Sequence, residues 1–190
     1  MQRRDFLKST ALLGLSTFAA TSATTSAFAQ NAVKEIRIGY QKTGVLAVAK
    51  GLDFLEQRFG KDGIAVKWVE FSFGPPLLEA LNAGSLEYGY TGDSPPIFAQ
   101  AARANLLYVG AIPARGYGQA IIVLPNSPIK TVTDLKGKKV AVAKASSAHN
   151  LLIAALESQG LSFKDVEPAY LAPADAAAAF ATGAVDAWSI

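Results

Sequence analysis

The chain has 190 residues, 51% hydrophobic and 17% charged, with a formal net charge of +3, one histidine and no cysteine. That balance suits a globular domain and not a disordered tail, and the lack of thiols excludes disulfide scaffolds, thiolate metal sites and cysteine nucleophiles. A nucleic-acid partner would need a concentrated cationic face, whereas the largest basic cluster is Lys136, Lys138 and Lys139, which reads as a solvated turn.

Residues 1–29 read as an export signal. Arg3 and Arg4 precede a mildly apolar stretch, Ala11 to Ala20, and Ala27-Phe28-Ala29 offers the small-x-small pattern of a cleavage site, with cutting expected after Ala29. The stretch is shorter than the roughly 20 residues of a membrane span. Paired arginines followed by x-Phe-Leu-Lys resemble the bacterial twin-arginine signal; an ordinary secretory signal is the alternative, and either implies export. Arg3, Arg4, Lys8 and Asp5 leave with the signal, so the mature part is almost neutral.

Lys34 to Tyr40 alternates apolar and charged positions and predicts a first strand; Val45, Val48, Leu52, Leu55 and Phe59 then recur at helical spacing. Ile64 to Phe71 predicts a second strand. Pro75 and Pro76 open a helix with Leu77, Leu78 and Leu81 on one face and Gly84 at its end. Leu86 to Tyr90 reads as a strand, Ser94-Pro95-Pro96 opens a helix to about Arg103, and Leu106 to Ala111 reads as another strand. Gly116 and Gly118 bracket a crossing, and Ala120 to Leu124 is apolar throughout. The order then restarts: a strand at Val140 to Ala143, a helix capped by Ser146 or Ser147 that ends at Gly160, a helix capped by Asp175 that ends at Gly183, and a final strand from Val185 to Ile190. This alternation predicts an α/β fold with a parallel sheet covered by helices.

Two stretches echo each other. Leu81 to Tyr88 and Phe180 to Ala187 share an apolar residue, a glycine, an aliphatic residue and a carboxylate in register. Either this is what any helix-to-strand junction looks like, or the chain holds two similar lobes, with ligands expected beyond the carboxyl ends of the strands. The sequence stops inside the last strand, which points to a longer protein.

His149 is the only imidazole, so a catalytic triad and a histidine metal cluster fail on inventory, and no nucleotide-binding glycine signature is present. No catalytic residue, metal ligand or cofactor site is expected. What remains are helix amino termini. Ser146 and Ser147 open a proline-free helix whose free amides and hydroxyls suit an oxyanion, or one serine simply caps it. At Gly92-Asp93-Ser94 the two following prolines remove donors, so Asp93 either caps that helix or accepts from a donor group. His149 is either a packed imidazole or a donor at a cleft rim. Trp188 either walls the cleft or packs in the core, and Gln41 either reaches a ligand or satisfies its loop.

Together, Ile38-Gly39-Tyr40-Gln41-Lys42, Gly74-Pro75 with Leu77 to Gly84, Thr91 to Pro96, Asp134 to Val140, Ser147 to Leu152 and Asp186-Ala187-Trp188 resemble the aliphatic sulfonate-binding proteins of bacterial ABC importers, across essentially the whole mature part. The wider group includes taurine, nitrate and thiamine-precursor binders. The resemblance implies a type II periplasmic binding protein: a first lobe over 30–117 and a second over 118–190, C-terminally incomplete, around a cleft. It implies a receptor, monomeric when full length, that delivers a small organosulfonate to an inner-membrane ABC permease. The ligand contacts it implies are Gln41, Gly92, Asp93 and Ser94 in the first lobe and Ser146, Ser147, His149 and Trp188 in the second. Ala145 and Phe73 stand where the family usually has glycine and a small residue. The alternatives are a related small anion, or an enzyme resembling those that form the thiamine pyrimidine, which would rely on His149.

Overall fold

The computed structural model describes residues 33–113 and 118–190, so the expected export signal and Gly116 lie outside the described residues. Glu35–Tyr40 forms β1, with Ile38 fully buried. The helical stretch that follows is two helices and not one: α1 (Val45–Gly51) and α2 (Phe54–Gly60), separated at Asp53. Asp53 has φ 48°, a left-handed conformation that its short polar side chain tolerates better than most. Of the expected apolar face, Val45, Val48 and Leu52 are exposed and Leu55 and Phe59 half-buried, while Leu46 is the buried residue of α1.

β2 (Ala65–Glu70) pairs in parallel with β1 along its whole length. Pro75 and Pro76 begin α3 (Gly74–Asn82) as their fixed φ and missing amides predict, and β3 (Tyr88–Gly89) pairs in parallel with the other side of β1. The first sheet therefore runs β2-β1-β3. Leu77 of α3 sits directly on this sheet at Gly39 and Gly89, where a Cβ would stand 3.0 Å and 2.5 Å from its atoms. α4 spans Ser94–Ala101.

Leu106 to Ala111, expected as a strand, carries no regular element, and Leu107, Tyr108 and Val109 are exposed. Strand propensity needs a neighbouring backbone to pair with, and this run pairs with no strand among the described residues.

The second sheet contains β4 (Ile121–Val123), β5 (Lys139–Val142), β6 (Glu167–Tyr170) and β7 (Ala187–Ser189), in the order β4-β7-β5-β6, with β4 antiparallel to β7 and the rest parallel. Helix α5 (Ser147–Ser158) covers one face and α6 (Pro173–Ala181) the other. Val140 and Val142 pack with Leu152 and Leu156 of α5, and Ala141 with Ala176 of α6, so the interior of β5 is apolar at every position. Asp175 does not cap α6. Pro173 fixes the helix start two residues earlier, and Asp175 lies in the first turn, where its charge suits the positive helix end.

The two sheets repeat one design. Order β2-β1-β3 recurs as β6-β5-β7, and α3 and α6 each end in a left-handed glycine, Gly84 and Gly183, with φ of 70° and 71°. Three residues on, a carboxylate turns back to the central strand: Glu87 accepts the Arg37 amide at 2.6 Å, and Asp186 accepts the Lys139 amide at 2.8 Å. The residues before them, Leu86 and Val185, are both buried. The echo read in the sequence is thus a repeated strand-helix-strand unit. Lys34–Ile190 forms one compact unit.

Candidate functional site

The carboxyl ends of β1 and β3 bring together the first set of expected contacts. Gln41, just past β1, donates from Nε2 to the Tyr90 carbonyl at 3.2 Å, tying the two strand ends. Gly92 and Asp93 follow β3. Asp93 Oδ1 accepts the Ser94 amide at 2.7 Å and the Ser94 hydroxyl at 3.1 Å, which caps α4. Pro95 and Pro96 supply no amide, so this helix end has little left for an anion. Burial pushes the Asp93 pKa up, but hydrogen bonds from Ser147 and Ser94 outweigh it and hold the carboxyl below its ordinary value. Asp93 is a fixed negative charge.

At the carboxyl end of β5, Ser146 is the cap of α5. Its hydroxyl donates to the Ala143 carbonyl at 2.7 Å and accepts the His149 amide at 3.3 Å. The Ser146 carbonyl also takes the His149 and Asn150 amides. The amides of Ser147 and Ala148 therefore remain, with no acceptor among the described residues, so this turn keeps two spare donors and not four.

These two places touch. A Cβ at Gly92 would overlap Ser147 Oγ and stand 2.9 Å from Ser147 Cβ, so the turn after β3 lies against the first residue of α5 because Gly92 has no side chain. The Ser147 hydroxyl lies close enough to Asp93 to help hold its carboxyl ionised. Gly92 and Asp93 of the first sheet's turn thus meet Ser147 of the second, with Gln41 and Ser94 held on the first side and Ser146 on the second.

Two expected contacts are placed elsewhere. The His149 ring lies between the ring edges of Phe163 and Tyr170, with centroids 4.9 Å and 5.7 Å away. Its Nδ1 accepts the Ala145 amide at 3.2 Å, and Nε2 is buried without a partner. Burial, then the nearby Lys144 charge, lowers its pKa. Trp188 lies in the α6-side core, its ring 6.0 Å from that of Phe180 and packed against the cluster of Ala141, Ala176 and Val185. Sequence reasoning missed Tyr90, whose carbonyl holds Gln41, and Tyr170, whose ring carries Lys144 Nζ at 5.6 Å. Only the place of Tyr90 at the end of the expected Leu86 to Tyr90 strand hinted at its role, and no strand was expected at Glu167–Tyr170.

Among the described residues no group of three His, Cys, Asp or Glu side chains is placed to hold a metal ion, and no helix is long and apolar enough to cross a membrane.

Residues 41–190 match the sequence pattern described as NMT1/THI5 like. The chain belongs to the NMT1/THI5-like family. A relative from Escherichia coli strain K12, named as an aliphatic sulfonates-binding protein, is 53% identical over 180 residues, 94% of this chain and 54% of that protein. The structure of the alkanesulfonate-binding protein SsuA from Xanthomonas axonopodis pv. citri, bound to MOPS, superposes with a TM-score of 0.78 at 54% identity, covering 83% of this chain and 54% of that one. The periplasmic aliphatic sulphonate binding protein SsuA from Escherichia coli gives 0.69 at 55% identity, covering 83% and 51%. This NMT1/THI5-like chain has the α/β fold of periplasmic solute-binding proteins, as its motifs imply, and spans about half the length of the relatives it matches.

Proposed function

We propose that this NMT1/THI5-like protein is an exported solute receptor that captures aliphatic sulfonates and delivers them to an inner-membrane ABC permease for sulfur acquisition. The two sheets begin two lobes, over 30–117 and 118–190, and the sulfonate lies in the seam between them. The observation that carries this reading is the meeting of Gly92 and Asp93 with Ser147, beside the two free amides of Ser147 and Ala148. A sulfonate offers three acceptor oxygens and one negative charge, which those amides and the positive end of α5 suit without any cation. Names of the matched relatives, sulfonate-binding proteins at more than half identity, support the ligand class.

The reading is of a receptor and not an enzyme. It includes a periplasmic location reached through the signal at residues 1–29, by the route its paired arginines specify, and a monomer at full length. Calorimetric titration of the full-length protein with alkanesulfonates, taurine, sulfate and nitrate tests it. Selective binding of alkanesulfonates is expected; preference for nitrate over every sulfonate would replace the ligand, and no anion binding would remove the receptor role.

A further inference from the structure

Ala145 has φ 60°, a left-handed backbone that an alanine adopts only where its surroundings impose it. The amide of that same residue is the one His149 Nδ1 accepts. With Nδ1 as acceptor, the ring proton sits on Nε2, and Nε2 is buried without a partner. The histidine therefore forgoes one hydrogen bond while keeping the bond to a strained turn. The next two residues are Ser146, the cap of α5, and Ser147, which meets Gly92 and Asp93.

We propose that His149 is a positioning residue: its neutral imidazole, by accepting the Ala145 amide, holds the left-handed turn that presents Ser147 and its amide to the ligand, and protonation of the ring releases that hold. The proposal rests on the receptor reading above. The groups around the ring favour the neutral form. Lys144 shares its turn and is the one charge among the described residues that lowers its pKa, and Tyr170 of β6 presents a ring edge. On the short turn that carries Phe163, the Asp165 carboxylate is taken by Ser162 and lies 3.7 Å from Lys136, beside a further cation, Lys164. β7 approaches α5 through the uncharged Ser189, whose hydroxyl donates to the Ala148 carbonyl at 2.8 Å. His149 forms no ion pair among the described residues.

The test uses the full-length protein and butanesulfonate, whose charge does not change with pH over the working range, titrated calorimetrically between about pH 8 and about pH 5. Wild-type affinity should fall on acidification by roughly fivefold to tenfold, the worth of one hydrogen bond. His149→Asn, which places an acceptor oxygen where Nδ1 stands, should bind like wild type at the upper pH and lose the acid-dependent fall. His149→Leu should be weaker at every pH, and adding Ala145→Gly should restore it, because glycine enters the left-handed region freely. A histidine with a merely structural role would leave His149→Leu unrescued and the His149→Asn profile unchanged, and that result overturns the proposal. A second measurement needs no ligand and no variant: the Ala145 amide proton should shift in NMR spectra with the imidazole titration, and an amide that does not follow the ring also overturns it. If wild type binds no sulfonate, the receptor reading falls, and the amide shift alone decides the positioning role.

Discussion

Ser147 Oγ occupies the space that any side chain at Gly92 would enter. Gly92→Ala must therefore push the turn after β3 away from α5, at a cost of about 1–3 kcal/mol for overpacking. Urea denaturation should show this loss, and Ser147→Gly in the same chain should recover most of it. An unchanged midpoint for Gly92→Ala would mean that the two turns separate freely in solution.

Ser147 is the first residue of α5, and Ser146 before it is extended, with φ −82° and ψ 169°. Proline fits both requirements. Ser147→Pro should still fold, with a melt no lower than that of Ser147→Ala, while losing one of the two free amides, and sulfonate affinity should drop by more than in Ser147→Ala, which removes a hydroxyl worth about 1–2 kcal/mol. Equal affinity for Ser147→Pro and wild type in a calorimetric titration would assign the anion to other donors.

The Asp93 carboxyl lies below its ordinary pKa of 3.8, as does that of Glu87 below 4.5. A carboxylate with a depressed folded pKa adds stability above its unfolded pKa and loses it as pH falls through the folded value. Acid unfolding should therefore begin near pH 4 and deepen below it. Asp93→Asn should flatten that limb in urea midpoints collected against pH; a limb identical to wild type would mean that Asp93 titrates alike in both states.

Ala145→Gly relieves a left-handed alanine. Against that stands the greater freedom glycine has when unfolded, so the net gain should be roughly 1 kcal/mol or somewhat less. Thermal unfolding at neutral pH measures it, and a loss of stability would show that the methyl group packs more favourably than its backbone strain costs.

The carboxylates of Glu87 and Asp186 hold corresponding amides, so Glu87→Ala and Asp186→Ala should weaken their sheets in parallel. About 1 kcal/mol is expected for Asp186→Ala, and no less for Glu87→Ala, because the Arg37 side chain also bonds Glu87. Hydrogen exchange at the Arg37 and Lys139 amides should rise in the matching variant only.

Local signals were legible in the sequence wherever a single element decided the outcome. The alternation of Glu35–Tyr40, the paired prolines of α3 and α4 and the uninterrupted apolar run of β5 each fix their element by backbone or burial alone. A cap at Ser146 or Ser147 was legible for the same reason, and the structure uses Ser146; the echo around Gly84 and Gly183 was legible as a pattern, with its meaning left open between a common junction and a repeated unit. What failed depended on partners. Leu106 to Ala111 has strand composition and no strand beside it, and Asp53 breaks a helix that side-chain spacing alone would continue. The meeting of Gly92 with Ser147 joins two sheets, and no local pattern encodes it. Trp188 had two readings because one strand residue faces either a helix or a cleft, and only the position of α6 decides between them.

The place of β7 also sets an order of assembly. It lies between β4 and β5, with Trp188 in register with Ile122 on one side and with Ala141 on the other, although both precede it by a long stretch of chain. The second sheet cannot zip up strand by strand as the polypeptide emerges; β5 and β6 can join early, but β4 waits unpaired until β7 arrives. Closing such long loops is entropically slow. During synthesis Ile121–Val123 is therefore an open edge of apolar residues, available for pairing with a neighbouring nascent chain.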